Sequence, residues 1–163
     1  MKIVKRVLLV LACIFVVIQF VRPTKNEPSG SPVKDINSAF DVPQDVQNIL
    51  RTSCYDCHSN ATKYPWYAEV QPIGWWLGGH IVDAKKELNF SEFGNYRPRR
   101  QYRKFEEMID QVKEDAMPLP SYLIIHTDAK LLLEQKEKLI GWVNTTRDSM
   151  MAQYPADSLV RRQ

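Results

Sequence analysis

Cys54, Tyr55, Asp56, Cys57 and His58 constrain this chain more than any other stretch of it. Two thiols separated by two residues, with an imidazole directly after them, come to one side of a single turn of chain. That spacing lets both sulfurs reach neighbouring vinyl groups on a porphyrin edge while the ring passes under the iron. The residues therefore predict one covalently attached c-type haem, with Cys54 and Cys57 as thioether anchors and His58 as an axial ligand. The fold has to supply an apolar housing for it.

Two other chemistries use paired cysteines. A structural zinc site needs four ligands, usually with a second close pair, and the remaining histidines, His80 and His126, stand alone. A thioredoxin-like dithiol opens a helix after a buried strand, and no strand pattern flanks Cys54. The third cysteine, Cys13, lies in an apolar run where it packs as a small hydrophobe, so no disulfide framework is implied. A net charge of +3 over 163 residues gives no footing for nucleic-acid binding and room for one domain with a tail.

The organisation follows from composition along the chain. Residues 1–22 combine a basic start with an apolar run from Val7 to Val21, broken by Gln19. This reads as an uncleaved single-pass transmembrane helix, with a cleaved secretory signal as the other reading; the anchor would leave the domain on the periplasmic side of a bacterial inner membrane. Residues 23–40, with Pro23, Pro28, Ser29, Gly30, Ser31 and Pro32, read as a linker. Residues 41–149 read as an all-α domain and 150–163 as a frayed tail.

Within the domain, Asp41 and Pro43 look like the cap and an early first-turn residue of a short helix carrying Val46, Ile49 and Leu50 and ending near Cys54. Tyr64, Trp66 and Tyr67 crowd an irregular segment and predict part of a haem pocket wall; the plainer reading is a packed surface loop. Ile73 to Leu88 has helical periodicity, with His80 in its apolar stripe as a core residue or a second iron ligand. Asn89 to Arg103 reads as a loop, where Arg97, Arg99, Arg100, Arg103 and Lys104 form a solvated run, a partner for haem propionates, or a docking face for an acidic redox protein. Phe105, Met108, Ile109 and Val112 define a helix ending before Met117-Pro118. Met117 is where a thioether ligand opposite His58 is expected, unless it is a core filler. Thr127 or Asp128 can cap a last helix to about Asp148, with Leu132, Leu139, Ile140 and Val143 inward and Trp142 beside them, and His126 reads as a loop residue.

Taken together, these segments resemble class I c-type cytochromes. More narrowly, Cys54-Tyr55-Asp56-Cys57-His58-Ser59-Asn60, Tyr64-Pro65-Trp66-Tyr67, His80, Leu88-Asn89-Phe90-Ser91-Glu92-Phe93, Met117-Pro118 and Gly141-Trp142 resemble the bacterial haem-binding domain family of small membrane-anchored monohaem cytochromes. The resemblance implies a cytochrome c-like domain around one haem c, axial His58, and Met117 opposite it. Two positions depart from the class I pattern: Asp115 stands where glycine is common, and Leu119 where a second proline is. A histidine at position 80 keeps a bis-histidine site open.

The function these readings predict is single-electron carriage, with iron ligated on both sides and a redox protein as partner. The alternative is a haem enzyme or sensor with an open or displaceable sixth position, handling peroxide or a diatomic gas, in which His80 would be the distal group. A third reading is a module that uses haem only as a core.

Overall fold

Apolar residues three and four apart decide most of the helices. The computed structural model describes residues 2–26 and 34–160, and among these the regular elements are helices, with no strand. They are α1 (Lys2–Ile18), α2 (Ile36–Ala39), α3 (Gln44–Ser53), α4 (Tyr55–His58), α5 (Ile73–Glu87), α6 (Pro98–Lys113), α7 (Pro120–Leu123), α8 (Leu133–Gln153) and α9 (Ala156–Leu159), with 3-10 turns at Trp66–Glu69, Phe90–Asn95 and Thr127–Ala129.

Helices α3, α6 and α8 share one core. Val46, Ile49 and Leu50 from α3 meet Phe105, Met108, Ile109 and Val112 from α6 and Leu139, Trp142, Val143 and Met150 from α8. Phe90 and Phe93 fill the space between them from the 3-10 turn, and Phe93 lies 4.9 Å from Phe105 and 5.9 Å from Phe40, ring to ring. Full burial of each such side chain contributes about 1.5–3 kcal/mol. Where α8 crosses the start of α3, Trp142 Nε1 donates to the Asp41 carbonyl at 2.9 Å. A smaller cluster of Tyr67, Leu77 and Ile81 lies under α5 and packs on Cys57. Gly74 permits it, because a Cβ there would stand 2.3 Å from the Ala68 carbonyl oxygen.

Several boundaries differ from the sequence expectation. Helix α3 begins after Pro43 with no side-chain cap, since the proline at that position carries no side-chain acceptor. Helix α6 begins at Pro98, inside the stretch expected as a loop; a proline at the first helical position gives up no hydrogen bond, and Gln101, Tyr102 and Lys104 are buried with the apolar face. Helix α8 begins after the Thr127 turn, where Gln135 Oε1 accepts from the Leu132 N–H at 2.8 Å, and Leu132 itself is exposed. The tail is not frayed over its described part: α8 runs on to Gln153, and Leu159 of α9 enters the core. Ile36 enters it from the other side, within the expected linker. The linker residues 27–33 and tail residues 161–163 lie outside the described residues.

The N-terminal transmembrane helix is the largest correction. No helix among the described residues is long and apolar enough to cross a membrane, and the single-pass inner-membrane location expected for the chain falls with it. Helix α1 has 17 residues, which at about 1.5 Å each rise about 26 Å, less than a hydrocarbon core of roughly 30 Å. It does not continue because the next residues turn onto the domain. The Gln19 side chain donates to the Gln71 carbonyl at 3.1 Å and accepts from its N–H at 2.9 Å. Trp75 Nε1 then holds the Val21 carbonyl at 2.7 Å, and Asn26 N–H donates to the Tyr64 hydroxyl at 2.6 Å. Cys13 is exposed on α1 rather than packed.

Candidate functional site

Burial of one face of α3 delivers the chain to the site. Cys54 closes that helix, its N–H donating to the Leu50 carbonyl at 2.9 Å, and its backbone leaves helical geometry at φ −127°. The single turn α4 follows, with the Cys57 and His58 N–H groups both donating to the Cys54 carbonyl, at 3.2 and 3.0 Å. Tyr55 anchors the turn from behind, stacked on Phe90 at 5.3 Å.

His58 is oriented by backbone. Its Nδ1 lies 2.9 Å from the Leu88 carbonyl, and because a carbonyl only accepts, Nδ1 carries the proton and Nε2 keeps a free lone pair. Burial holds the imidazole's pKa below its usual value, against the opposing pull of that hydrogen bond. The ring is therefore a neutral donor to a metal.

The segment bearing Leu88 is fixed by side chains that the sequence reading gave no role. Asn89, 3% exposed, donates from Nδ2 to Asn60 Oδ1 at 2.7 Å and accepts from the Ser91 N–H at 3.1 Å. Its own N–H donates to the Tyr96 hydroxyl at 2.9 Å, and the Asn60 N–H reaches Ser91 Oγ at 3.1 Å. Asn89-Phe90-Ser91 carries the local signal for such an Asx turn, but its partner Asn60 lies 29 residues away.

Cavities open on both sides of this turn. One of about 250 Å³ is lined by Cys54, Asp56, Cys57, His58, His80, Met117, Pro118, Leu119 and Tyr122, among others. The second, about 340 Å³, shares Ser53, Cys54, His58, Glu87, Met117 and Pro118 with it and adds Leu88, Phe90, Lys104, Met108 and Val112. The fold thus brings Cys54, Cys57, His58, His80 and Met117 to one place. His58 and Met117 border both cavities, His80 only the first, where its ring meets Trp76 edge-on at 4.3 Å. Tyr64 and Trp66 line neither, and Trp66 is 77% exposed. Tyr67 sits one layer behind, packed with Cys57, its hydroxyl 2.9 Å from His126 Nε2.

The electrostatics suit a group that bonds to thiols. Burial, then the neighbouring Cys57, pushes the Cys54 thiol up to about 12, and burial, then Asp56, pushes Cys57 up to about 11. Both remain protonated near neutral pH. No group of three or more His, Cys, Asp or Glu among the described residues is placed to hold a metal ion. Tyr122, whose hydroxyl donates to Asp56 Oδ2 at 2.8 Å, has its pKa raised by burial and by that bond. Cavities with two neutral thiols, a histidine whose Nδ1 carries the proton and a methionine at their border fit a haem.

The expected basic face is partly used within the fold. Lys104 is buried, bonded to Glu87 at 2.9 Å and Glu107 at 2.5 Å. Arg100 lies 4.0 Å over the Tyr96 ring, Arg99 donates to the Asp157 carbonyl at 2.7 Å, and Arg103 pairs with Glu107 at 3.3 Å. Arg97 to Arg103 nonetheless keep their arginines exposed along the first turns of α6.

In comparison with known proteins, the family model described as a haem-binding domain matches residues 13–145. No curated protein and no solved structure matches the chain.

Proposed function

We propose, for a chain that belongs to the haem-binding domain family, that it carries one haem bonded to Cys54 and Cys57 and serves as a single-electron carrier. The observation that carries this is the His58 Nδ1 bond to the Leu88 carbonyl at 2.9 Å, made at the edge of cavities bordered by Cys54 and Met117 on both sides. When bound, haem supplies an iron that accepts and releases one electron.

The residues have separate tasks. Cys54 and Cys57 would hold the haem as thioethers, each S–H adding across one vinyl group with its sulfur on one carbon and its proton on the next, so that no oxidant would be consumed. His58 ligates through Nε2 with its ring direction fixed by Leu88. Met117 would hold the iron together with His58; its bordering of both cavities supports it over His80. A thioether opposite imidazole favours the ferrous state and raises the potential. For partner we propose a redox protein with an acidic face, met by Arg97, Arg99, Arg100 and Arg103, whose charges would raise the association rate at low salt.

Ferric and ferrous optical spectra of the haem-loaded chain test this. A low-spin spectrum with the weak far-red sulfur-to-iron band, absent in Met117→Ala, is the expected result. A low-spin spectrum without the band, altered by His80→Ala, would give the second position to His80. Rapid binding of carbon monoxide or cyanide to resting protein would favour the enzyme or sensor.

A further inference from the structure

The loop that carries Met117 is pinned at both ends. On one side, the Ala116 and Met117 N–H groups both reach the Gln111 carbonyl, at 3.0 and 3.2 Å, which fastens the loop to the end of α6. On the other, Pro118, Leu119 and Pro120 lead into α7, where the Tyr122 hydroxyl donates to Asp56 Oδ2 at 2.8 Å. Asp56 lies between the two cysteines, so this bond joins the Met117 segment to the turn that bears His58.

We propose that Tyr122 is a positioning residue, holding Met117 at its distance from His58 through Asp56; the proposal rests on the axial reading above. Little slack separates Tyr122 from Met117. Both prolines fix φ, and the Tyr122 N–H closes on the Leu119 carbonyl at 2.9 Å. The phenol ring is itself held: His126 stacks on it at 4.1 Å with planes 9° apart, and Tyr67 holds the far side of that imidazole through its 2.9 Å bond to Nε2. Asp56 and Tyr122 also border a polar cleft of about 300 Å³ outside the haem cavity. Their hydrogen bond is thus part of the wall between the two, and breaking it frees α7 to move outward with Met117 and admits solvent.

The test uses the full haem-loaded chain and imidazole as the competing ligand. In the ferric protein, Tyr122→Phe, which removes only the hydroxyl, is expected to weaken the far-red band and to raise the rate of imidazole binding about tenfold, the effect of losing one hydrogen bond to a charged acceptor. Asp56→Ala gives a similar rise, Asp56→Asn, which keeps an acceptor oxygen, a smaller one, and Tyr122→Phe/Asp56→Ala no more than either alone. A band and an imidazole rate unchanged in Tyr122→Phe would overturn the positioning role while leaving Met117 as ligand. A wild-type spectrum without the band would overturn the axial reading and this inference with it.

Discussion

His58 and Leu88, thirty residues apart, are joined by one hydrogen bond of 2.9 Å from ring nitrogen to backbone carbonyl. The ring can turn and keep this contact only if the carbonyl moves with it, and Asn89 holds the segment that bears the carbonyl. Asn89→Ala leaves Asn60 Oδ1 and the Ser91 N–H without their partner at a buried site, a loss of about 1–3 kcal/mol. The expected outcome is a lower denaturant midpoint at unchanged slope; a midpoint within a few tenths of a kcal/mol of wild type would show that the segment is held otherwise.

Asp115 occupies a left-handed conformation, φ 55°, just past the end of α6. This is the place where a glycine is favoured after a helix. Asp115 also forms an ion pair with Lys136 of α8. Asp115→Ala loses the pair and keeps the strained angle, so it is expected to cost about 1 kcal/mol. Asp115→Gly exchanges the pair for a relaxed backbone and should fall within about 0.5 kcal/mol of wild type. Thermal unfolding of the two variants separates them; equal losses would mean the angle carries no strain.

How far the sequence showed this depends on whether the information was local. The spacing of Cys54, Cys57 and His58 is local, and so is the apolar period of Val46, Ile49 and Leu50. The start of α6 was hidden because Arg97, Arg99, Arg100 and Arg103 dominate its first turns, although Pro98 was a usable start signal. Burial of Lys104 could not be read, since its partner Glu87 lies 17 residues back. Phe90 and Phe93 sit on a 3-10 turn too short to show a period. The end of α1 is decided by Gln19 meeting Gln71, 52 residues away, which no window along the chain reports. Leu159 entered the core from a tail whose lone apolar residues gave no pattern.

Acid sensitivity follows from Glu87. Lys104 Nζ, through its hydrogen bond and its charge, holds this carboxyl below its usual 4.5. The unfolded chain then binds the proton more readily than the folded one, so the contribution is present above about pH 4.5 and is lost as pH falls through the lower folded value. Glu87→Gln removes that titration. Its stability relative to wild type is expected to improve as pH falls below about 4.5, giving a shallower acid-side slope in chemical unfolding. Parallel slopes for the two proteins would exclude the Lys104 pairing as the source.

The attachment proposed for Cys54 and Cys57 predicts graded loss. Cys54 is the last residue tied to α3, through its N–H to Leu50 at 2.9 Å, and its carbonyl closes the turn that carries Cys57 and His58. Replacing either thiol with a methyl group keeps these backbone bonds, so Cys54→Ala and Cys57→Ala should each fold and hold haem by one thioether and His58. Cys54→Ala/Cys57→Ala leaves only the axial bonds and the cavity. Haem staining after denaturing electrophoresis checks this: signal is expected in wild type and both single variants and none in the double one. With each saturated vinyl group the ferrous absorption moves to shorter wavelength, so the maxima are expected in the order wild type, single variants, double variant. A double variant that still stained would place the covalent bonds elsewhere, and a wild type that released its haem would leave His58 in a cavity that binds without attachment.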